Sequence, residues 1–375
     1  MTGRERIEAA FAPEGTPEVA AVICYEDIFI RDHWHALTDA PWWQQFAPDV
    51  DTQLALHRQI AMRTGQDWIT LPSCGTRAWR AQAELQVRPE GVFLVERGTG
   101  HEQRLEEPPI GGGLIPEGEF ASTDTIEQVD ALIAPPPAFD VQRYVGEGRT
   151  DLAQAILAGF GAELYPIARV SSPLWSTYGL WGFGGMMAMI ATRPDLVRHA
   201  CERYLAWAVH GVAQAAALGA RAVWIEECML DMISPAAFAE LNLPFLQRLI
   251  EAIRSHGMRS IYYPTGDPGR KWDLLLASGA DALALEEGKK GFAIDIAEVV
   301  ERVGGRCVVL GNLDAVGVLQ DGSEQDLRAE ICRQLEAGRR NGARFVMSIG
   351  SPVTPDTPVE RVRLYCDLVH ELGRW

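Results

Sequence analysis

The sequence lacks an excess of basic residues, and this absence limits its partners. Its 375 residues contain 34 Lys and Arg against 51 Asp and Glu, a formal net charge of −17. Proteins that bind DNA or RNA usually carry a basic surface for the phosphates. The charge therefore argues against a nucleic-acid partner, and for the same reason against an anionic membrane surface.

Long apolar runs and ordered cysteine spacings are also missing. No apolar run approaches the ~20 residues of a membrane-spanning helix, and the first residues, MTGRERIEAAFAPEG, contain no apolar segment typical of a signal peptide. The seven cysteines are scattered, with no CxxC pair. Such cysteines are typical of reduced thiols packed in a core. We therefore expect a cytoplasmic protein without a membrane anchor.

The second half of the chain alternates short apolar runs with amphipathic segments. The predicted strands are 220–227, 259–264, 280–287, 306–314 and 343–350, and the predicted helices are 234–257, 269–279, 295–304, 323–342 and 357–373. Strands that are apolar on both faces and separated by helices predict a parallel sheet covered by helices. Five such units in series favour an α/β fold of the TIM (β/α)8 type. An open doubly wound sheet is the alternative.

The first half is less regular but supplies the missing strands. Residues 19–27, 67–72 and 164–173 have strand-like composition, and 193–219 is predicted to be a long helix. Residues 77–109 alternate and turn at PEG and GTG, which predicts an antiparallel β-hairpin excursion outside the barrel. No linker divides the chain, so we expect one TIM-barrel domain spanning 1–375.

Carboxylates and aromatic side chains cluster where the predicted strands end, which is where barrel enzymes carry their active sites. Carboxylates held close together cannot all ionise, so some pKa values should rise and suit general acid and base roles. The predicted catalytic residues are Glu226, Glu227, Tyr263, Asp267 and Glu286. The predicted substrate-binding residues are Glu26, Asp67, Trp175, Tyr178, Trp181, Asn312, Asp314 and Ser351.

Two alternatives stay open for this ring of residues. Any single carboxylate could instead cap a helix or remain hydrated, and a divalent cation could hold several of them together. Side chains alternate along a strand, so only one of Glu226 and Glu227 should point inward. The alternation of Ala222 and Trp224 with Glu226 favours Glu226. Lys289 and Lys290 follow the same type of strand end as Glu286.

Several segments resemble the uroporphyrinogen decarboxylase superfamily, and together they cover nearly the whole chain. They are MTGRERIEAAF, SSPLWSTYGLWGFGGMMAMIATRPDLVRHACERYLAW, VWIEECMLDMISPAAFAELNLPFLQRLIEAIRSHG, GADALALEE, DIAEVVERVGGRCVVLGNLDAVGVL and GARFVMSIGSPVTPDTPVERVRLYCDLVHELG. The resemblance implies a TIM barrel. It also implies one of two activities, because the superfamily includes porphyrinogen decarboxylases and methyltransferases that exchange methyl groups between a corrinoid and a thiol or another acceptor.

The resemblance argues against true uroporphyrinogen decarboxylation. The decarboxylases carry arginines after the first strand to bind propionates, whereas this chain has ICYEDIFIRDHW there, with Glu26 and Asp27 and only Arg31 nearby. Like charges would repel a polycarboxylate. Ser351 stands in the place of a histidine of the last strand, while Asp67 matches an early aspartate of the family.

The zinc ligands of the thiol-activating methyltransferases are replaced as well. Tyr263, Thr265 and Ser351 stand in their places, and hydroxyls do not form a stable zinc site as thiolates and imidazole do. We therefore expect no His/Cys/Cys zinc site and assign no resident cofactor.

The favoured function is a methyltransferase-like enzyme acting on a small methylated or aromatic compound, with a separate corrinoid protein as methyl donor or acceptor. Trp175, Tyr178, Trp181 and Tyr263 could stack on such a compound. The alternatives are a decarboxylase-like lyase on a non-porphyrin carboxylic acid and a non-catalytic ligand-binding barrel. A homodimer is left open.

Overall fold

The computed structural model of the protein describes residues 1–111, 123–228, 230–288 and 291–375. The strands are β1 Ala21–Val22, β2 Trp68–Thr70, β3 Ala83–Arg88, β4 Gly91–Glu96, β5 His101–Leu105, β6 Tyr165–Ser171, β7 Ala222–Glu227, β8 Arg259–Pro264, β9 Ala282–Ala284, β10 Val308–Leu310 and β11 Phe345–Ser348.

The α-helices lie between these strands. They are α1 Gly3–Phe11, α2 Glu26–Asp32, α3 Trp34–Leu37, α4 Val50–Thr64, α5 Arg77–Arg80, α6 Ile126–Leu132, α7 Val141–Gly146, α8 Asp151–Phe160, α9 Pro173–Ser176, α10 Tyr178–Thr192, α11 Pro194–Leu218, α12 Pro235–Leu241, α13 Leu243–Ser255, α14 Trp272–Ala277, α15 Ile296–Val303, α16 Glu324–Arg340 and α17 Val359–Leu372. None of the helices in these ranges is both long and apolar enough to cross a membrane.

Eight parallel strands form a TIM barrel, as the alternation of apolar runs and helices predicts. They pair in the order β1-β11-β10-β9-β8-β7-β6-β2. The ring closes between its two end strands, where the amide of Asp67 donates to the carbonyl of Ala21 at 2.8 Å. The TIM-barrel prediction is thereby confirmed.

The predicted β excursion is present as a separate antiparallel sheet. Strands β3, β4 and β5 pair in sequence order, with Arg88 opposite Gly91 at the first turn and Glu96 opposite His101 at the second. The first residues of the predicted range, Arg77–Arg80, are helical instead of extended. Thr76 accepts a hydrogen bond from the amide of Trp79, which caps this single turn.

Alternation along the barrel strands sorts their side chains into two cores. An inner cluster fills the barrel and includes Trp68, Tyr165, Ile167, Trp224 and Tyr263. A larger outer cluster packs the other faces of the strands against the helices. Helix α1 contributes Ile7 and Phe11 to the inner cluster, so it closes the N-terminal end and leaves the C-terminal end for a site.

One predicted helix differs from the structure, and a segment without a predicted structure proves to be helical. The helix predicted over 234–257 is broken at Asn242 into α12 and α13. Pro244 lies in the first turn of α13, where its missing amide is tolerated, whereas inside a continuous helix it would remove a hydrogen bond and clash with the preceding turn. The glycine- and aromatic-rich segment after β6 forms α9 and α10, and Gly182, with φ 63°, kinks α10.

Candidate active site

The C-terminal ends of β6, β7 and β8 bring an arginine, a glutamate and a tyrosine to one end of the barrel. Glu226 is in register with Ser171 of β6 and with Tyr263 of β8. Arg169 alternates with Tyr165 and Ile167 of the inner core, just as Glu226 alternates with Trp224. All three side chains therefore belong to the inner face of the barrel, which agrees with the alternation argument for Glu226.

Tyr25 reaches Glu226 from the loop after β1. Its hydroxyl donates to Glu226 Oε1 at 3.2 Å, and its ring meets that of Tyr263 edge-on, with centroids 5.5 Å apart. The backbone of Tyr25 is left-handed, with φ 51°, a conformation that non-glycine residues rarely adopt and that tends to occur at functional sites. Burial, with Cys228 and Glu226 nearby, raises the pKa of Tyr25 well above its usual value. The phenol is thus a neutral hydrogen-bond donor at Glu226.

Cys228 contacts the same oxygen of Glu226 as Tyr25 does. Its thiol donates to Glu226 Oε1 at 3.7 Å. Burial, and then the charge of Glu226, raises the pKa of Cys228 to about 12. The thiol therefore stays protonated at neutral pH, and it has no thiolate character for nucleophilic attack or metal binding.

Arg169 is a candidate site residue that the sequence analysis does not include. It forms an ion pair with Asp27, and its guanidinium lies 5.3 Å from the centre of the Tyr25 ring. Burial lowers the pKa of Arg169, but the Asp27 carboxylate outweighs burial and the net direction is upward. The signal was an arginine inside an otherwise apolar strand, a position that burial normally forbids unless the charge has a partner.

Glu26 lies beside Arg169 in a small cavity of the barrel. Its carboxylate accepts hydrogen bonds from the side chains of Gln66 and Thr70. Burial raises the pKa of Glu26 despite these donors. The cavity measures about 10 Å³, which is room for about one water molecule. A substrate must therefore lie above these side chains and not between them.

Glu227 points the other way and is separated from Glu226. It accepts a hydrogen bond from Asn242 Nδ2 at 2.6 Å, at the break between α12 and α13, and it is 2% exposed. Burial raises the pKa of Glu227 to about 8. The structure therefore places this predicted catalytic residue behind the barrel wall, where it joins β7 to the helices.

Glu286 and Glu287 join the loops at the C-terminal rim. Glu286 Oε2 accepts a hydrogen bond from the amide of Gly266, 2.6 Å away in the loop after β8. Ser351 donates to Glu287 Oε2 at 2.6 Å, and the Tyr263 hydroxyl donates to the Gly350 carbonyl at 2.7 Å. These contacts bring Glu286, Tyr263 and Ser351 to the same end of the barrel as Glu226. Lys289 and Lys290 lie outside the described residues.

Asp67 is a correction to the predicted site. It precedes β2 and lies at the N-terminal end of the barrel, opposite the other residues. Its carboxylate accepts hydrogen bonds from the Ala21 amide, from Arg6 Nη1 and from His370 Nε2, at 2.7, 3.0 and 2.7 Å. Residues at this end of a barrel usually serve stability.

Three other predicted site residues form hydrogen bonds with backbone groups of nearby loops. Asp267 is exposed and accepts from the Gly269 amide. Asp314 caps the turn that follows β10 by accepting from the amides of Val316 and Gly317. Asn312 Nδ2 donates to the backbone carbonyls of Glu286 and Ile294. The structure therefore assigns these side chains a local structural contact and not a place beside Glu226.

The predicted rim aromatics divide into two groups. Trp181 is 7% exposed, and its indole donates to the Thr123 carbonyl at 2.8 Å, so it is a core residue and not a stacking surface. Trp175 and Tyr178 pack on each other with centroids 5.0 Å apart and remain partly exposed. A contact of these two residues with substrate stays a prediction.

The residues present do not fit the zinc site of thiol-activating relatives. Tyr263 and Ser351 direct their hydroxyls to Gly350 and Glu287, and zinc prefers thiolates and imidazole. Across the ranges that the structure describes, no group of three or more His, Cys, Asp or Glu side chains converges to hold a metal ion. The proposed chemistry therefore assigns no role to zinc.

Comparisons with known proteins agree with the fold and the segments described above. Residues 122–372 match the family model "Uroporphyrinogen decarboxylase (URO-D)". A uroporphyrinogen decarboxylase of Neisseria meningitidis is 28% identical over 304 residues, which cover 78% of this chain and 82% of the relative. One from an Anaeromyxobacter strain is 28% identical over 251 residues, 66% of this chain and 68% of the relative. Among solved structures, a methyltransferase from Methanosarcina mazei superimposes with a TM-score of 0.67 at 18% identity and covers 99% of both chains.

Proposed function

The chain belongs to the uroporphyrinogen decarboxylase family, and from that premise we propose that it is a methyltransferase-like enzyme. Its substrate in this proposal is a small, neutral or cationic, methylated or aromatic compound. A separate corrinoid protein serves as methyl donor or acceptor. The likeness to the Methanosarcina mazei methyltransferase supports the shared fold alone, because the two chains are 18% identical.

The observation that carries the proposal is the charge of the barrel mouth. In the described part of the chain, Glu26, Asp27 and Glu226 lie around Arg169, whose charge is already paired with Asp27. A polycarboxylate would meet repulsion here, whereas a neutral or cationic compound would not. The partly exposed ring of Tyr25 offers such a compound an aromatic contact.

Glu226 is the group placed to manage a proton in this reaction. When a methyl group leaves a neutral heteroatom for a nucleophilic acceptor, the bonding electrons stay on the heteroatom, which then takes a proton; a quaternary ammonium needs none, because it leaves as a neutral amine. A positioned carboxylate can relay such a proton from water to the heteroatom. Tyr25 donates to Glu226 and so orients the carboxyl group towards the mouth. The corrinoid supplies the methyl-accepting metal when its carrier protein docks.

A second candidate function follows from Arg169. If a substrate carboxylate displaced Asp27 from the guanidinium, the same mouth would suit a decarboxylase-like lyase on a small non-porphyrin acid. Arg169 could hold the carboxylate that remains or the one that leaves. This reading needs the Arg169–Asp27 pair to open, whereas the methyl-transfer reading does not.

The experiment that separates these functions uses the purified full chain with cob(I)alamin under anaerobic conditions. A panel of methylated amines, methoxylated aromatics and methyl thioethers is screened for methylcobalamin by visible absorbance, and a panel of carboxylic acids is screened for released CO₂. Methylcobalamin formation that is lost in Glu226→Gln but kept in Glu90→Gln, an exposed hairpin residue, supports the proposal. Release of CO₂ without methyl transfer overturns it in favour of the lyase. Tight binding without any turnover favours a non-catalytic barrel.

A further inference from the structure

A second cleft lies outside the barrel, in the helix layer next to the end of β2. It is formed by the start of α4, the loop after β2, the short helical turn Trp42–Phe46 and the first turns of α8, and it measures about 240 Å³. Its lining shares no residue with the small cavity behind Tyr25. The cleft is therefore a candidate site in its own right.

The walls of the cleft are mainly apolar and are held in place. The apolar lining comprises Phe46, Pro48, Val50, Pro72, Trp79 and Leu152. The side-chain Nε2 of Gln53 donates to the carbonyls of Gln44, Gln45 and Ala47, at 3.2, 2.9 and 3.0 Å, which fixes the helical turn at one side. Walls that are ordered before a ligand arrives reduce the entropy that binding costs.

Trp79 connects the cleft to the β excursion. Its indole donates to Glu96 Oε1 of β4 at 2.7 Å, and its ring packs so closely on Gly75 that a Cβ there would lie 2.3 Å from the ring. Through this hydrogen bond the excursion sets the position of one aromatic wall of the cleft. Gly75 is needed because any side chain there would displace that wall.

The polar lining offers one neutral hydrogen-bonding ring. His57 is partly exposed to the cleft, and across the described residues neither of its ring nitrogens makes a hydrogen bond. Burial lowers the pKa of His57 to about 4, so the imidazole is neutral and presents one donor and one acceptor. The other polar groups are already used. Asp49 caps α4 through the Thr52 amide at 2.7 Å, and the Cys74 thiol donates to the Gly148 carbonyl at 3.2 Å.

We propose that this cleft binds a small uncharged aromatic molecule with a single hydrogen-bonding group, of the class of a phenol, through His57 and the ring of Trp79. Among the described residues, no cationic side chain lines the cleft, and Asp49 would repel an anion. A cavity of about 150 Å³ admits benzene, and pockets for larger ligands start at about 300 Å³. The volume of about 240 Å³ therefore fits one substituted ring.

Phenol is the probe, titrated calorimetrically into the full-length protein, with benzoate, benzylammonium and cyclohexanol as comparison ligands. Phenol should bind, and each comparison ligand should bind at least about tenfold more weakly. His57→Phe removes the hydrogen bond and keeps a ring of similar size, and it should weaken phenol at least about tenfold, whereas His101→Phe on the exposed hairpin should not. Leu152→Trp fills the cleft and should abolish binding, and thermal unfolding of each variant checks that it is folded.

The outcomes distinguish this cleft from the barrel mouth. Glu226→Gln should leave phenol affinity unchanged, because Glu226 does not line the cleft. Loss of phenol binding in Glu226→Gln, with normal binding in Leu152→Trp, would place the ligand in the barrel and overturn the proposal. Absence of phenol binding to the folded wild type, or benzoate binding as tightly as phenol, would also overturn it. None of these results bears on methyl transfer, so the two proposals can fail separately.

Discussion

At the scale of single residues, two adjacent glutamates of β7 have different surroundings because their side chains point to opposite faces of the strand. Glu226 lies on the inner face of β7 beside Tyr25 and Cys228, whereas Glu227 lies on the outer face beside Asn242. The first is placed to meet a substrate, and the second is shielded from water. We therefore expect replacement by glutamine to have different effects at the two positions.

Glu226→Gln should slow turnover by about 10²–10⁴-fold, the usual contribution of a positioned acid or base. The amide keeps the shape and an oxygen that can accept the Tyr25 hydrogen bond, but it cannot transfer a proton. The free energy of unfolding should change little, because the substitution also removes the repulsion between Glu226 and the neighbouring carboxylates. Steady-state kinetics on the substrate found by the cobalamin screen, with Glu90→Gln as control, measures this. Wild-type turnover would remove Glu226 from the mechanism.

Glu227→Gln should instead change how stability depends on pH. Burial raises the pKa of Glu227 to about 8 in the folded protein, from an ordinary 4.5. Between these values the folded state keeps a proton that the unfolded state has lost, so stability falls as pH rises and the loss is complete above about pH 8. Glutamine never ionises, so the variant should lack this part of the slope.

The window from pH 6.5 to 8 is the informative one for Glu227. Burial lowers the pKa of His57 to about 4, so His57 adds stability as pH rises only up to about 6.5 and does not interfere above it. Urea unfolding of the wild type across the window should lose about 2 kcal/mol more than Glu227→Gln does. Parallel slopes for the two proteins would show that Glu227 is ionised in the fold.

At the scale of elements, the two ends of the barrel have different tasks. The C-terminal ends of β6, β7 and β8 hold the candidate site, while at the N-terminal end helix α1 and strand β1 meet the C-terminal helix α17 around Asp67. The carboxylate of Asp67 accepts from one group of each of these three elements. It therefore joins the first and last parts of the chain.

Asp67→Asn should destabilise the protein and leave the chemistry intact. An amide NH₂ would face donors where the carboxylate now accepts, and an unmade buried hydrogen bond costs about 1–3 kcal/mol. The Gly3 Cα lies so close that a Cβ there would be 2.5 Å from Asp67 Oδ1, so little relaxation is available. Urea unfolding and kcat/KM are measured together, with the exposed Asp356→Asn as control. A fall in kcat/KM at unchanged stability would return Asp67 to the active site.

At the scale of the whole molecule, the two ends of the barrel use their carboxylates differently. Arg221 and Arg259, at the N-terminal ends of β7 and β8, are paired with Glu8 and Asp281. At the C-terminal ends, Asp27 is paired with Arg169, whereas Glu226 and Glu286 accept hydrogen bonds from Tyr25 and from the Gly266 amide. In a chain with a net charge of −17, the mouth therefore presents carboxylates to an approaching polyanion.

Uroporphyrinogen should therefore be a poor substrate despite the family. A polycarboxylate approaching the carboxylate-rich mouth is repelled, and the arginine of the mouth is already paired with Asp27. Incubation with uroporphyrinogen under anaerobic conditions should give no coproporphyrinogen, with an authentic decarboxylase as positive control. Formation at enzymatic rates, roughly 1–10³ per second, would contradict the prediction and the proposed methyl transfer together.

Local sequence was sufficient for the parts of the site that depend on alternation. Glu226 follows Trp224 and Ala222 on one face of a strand, and its inward position follows from that spacing alone. It was insufficient for Asp67, which was selected by its match to an aspartate of the family, although it begins the predicted strand 67–72 and the start of a parallel strand lies at the end of the barrel opposite the site. A prediction from strand ends also omits Arg169, because Arg169 lies within β6 and not after it.

The sequence by itself determined the barrel, its polarity and the family, because apolar runs, helix caps and strand spacing are local properties. Only the tertiary structure decided which polar side chain meets which partner. Asp67 is bound by His370, 303 residues away, Arg169 by Asp27, 142 residues away, and Trp79 reaches the cleft because Glu96 holds it. Burial and hydrogen bonds set the protonation of a side chain, and both are made by residues that the fold brings together from distant parts of the chain.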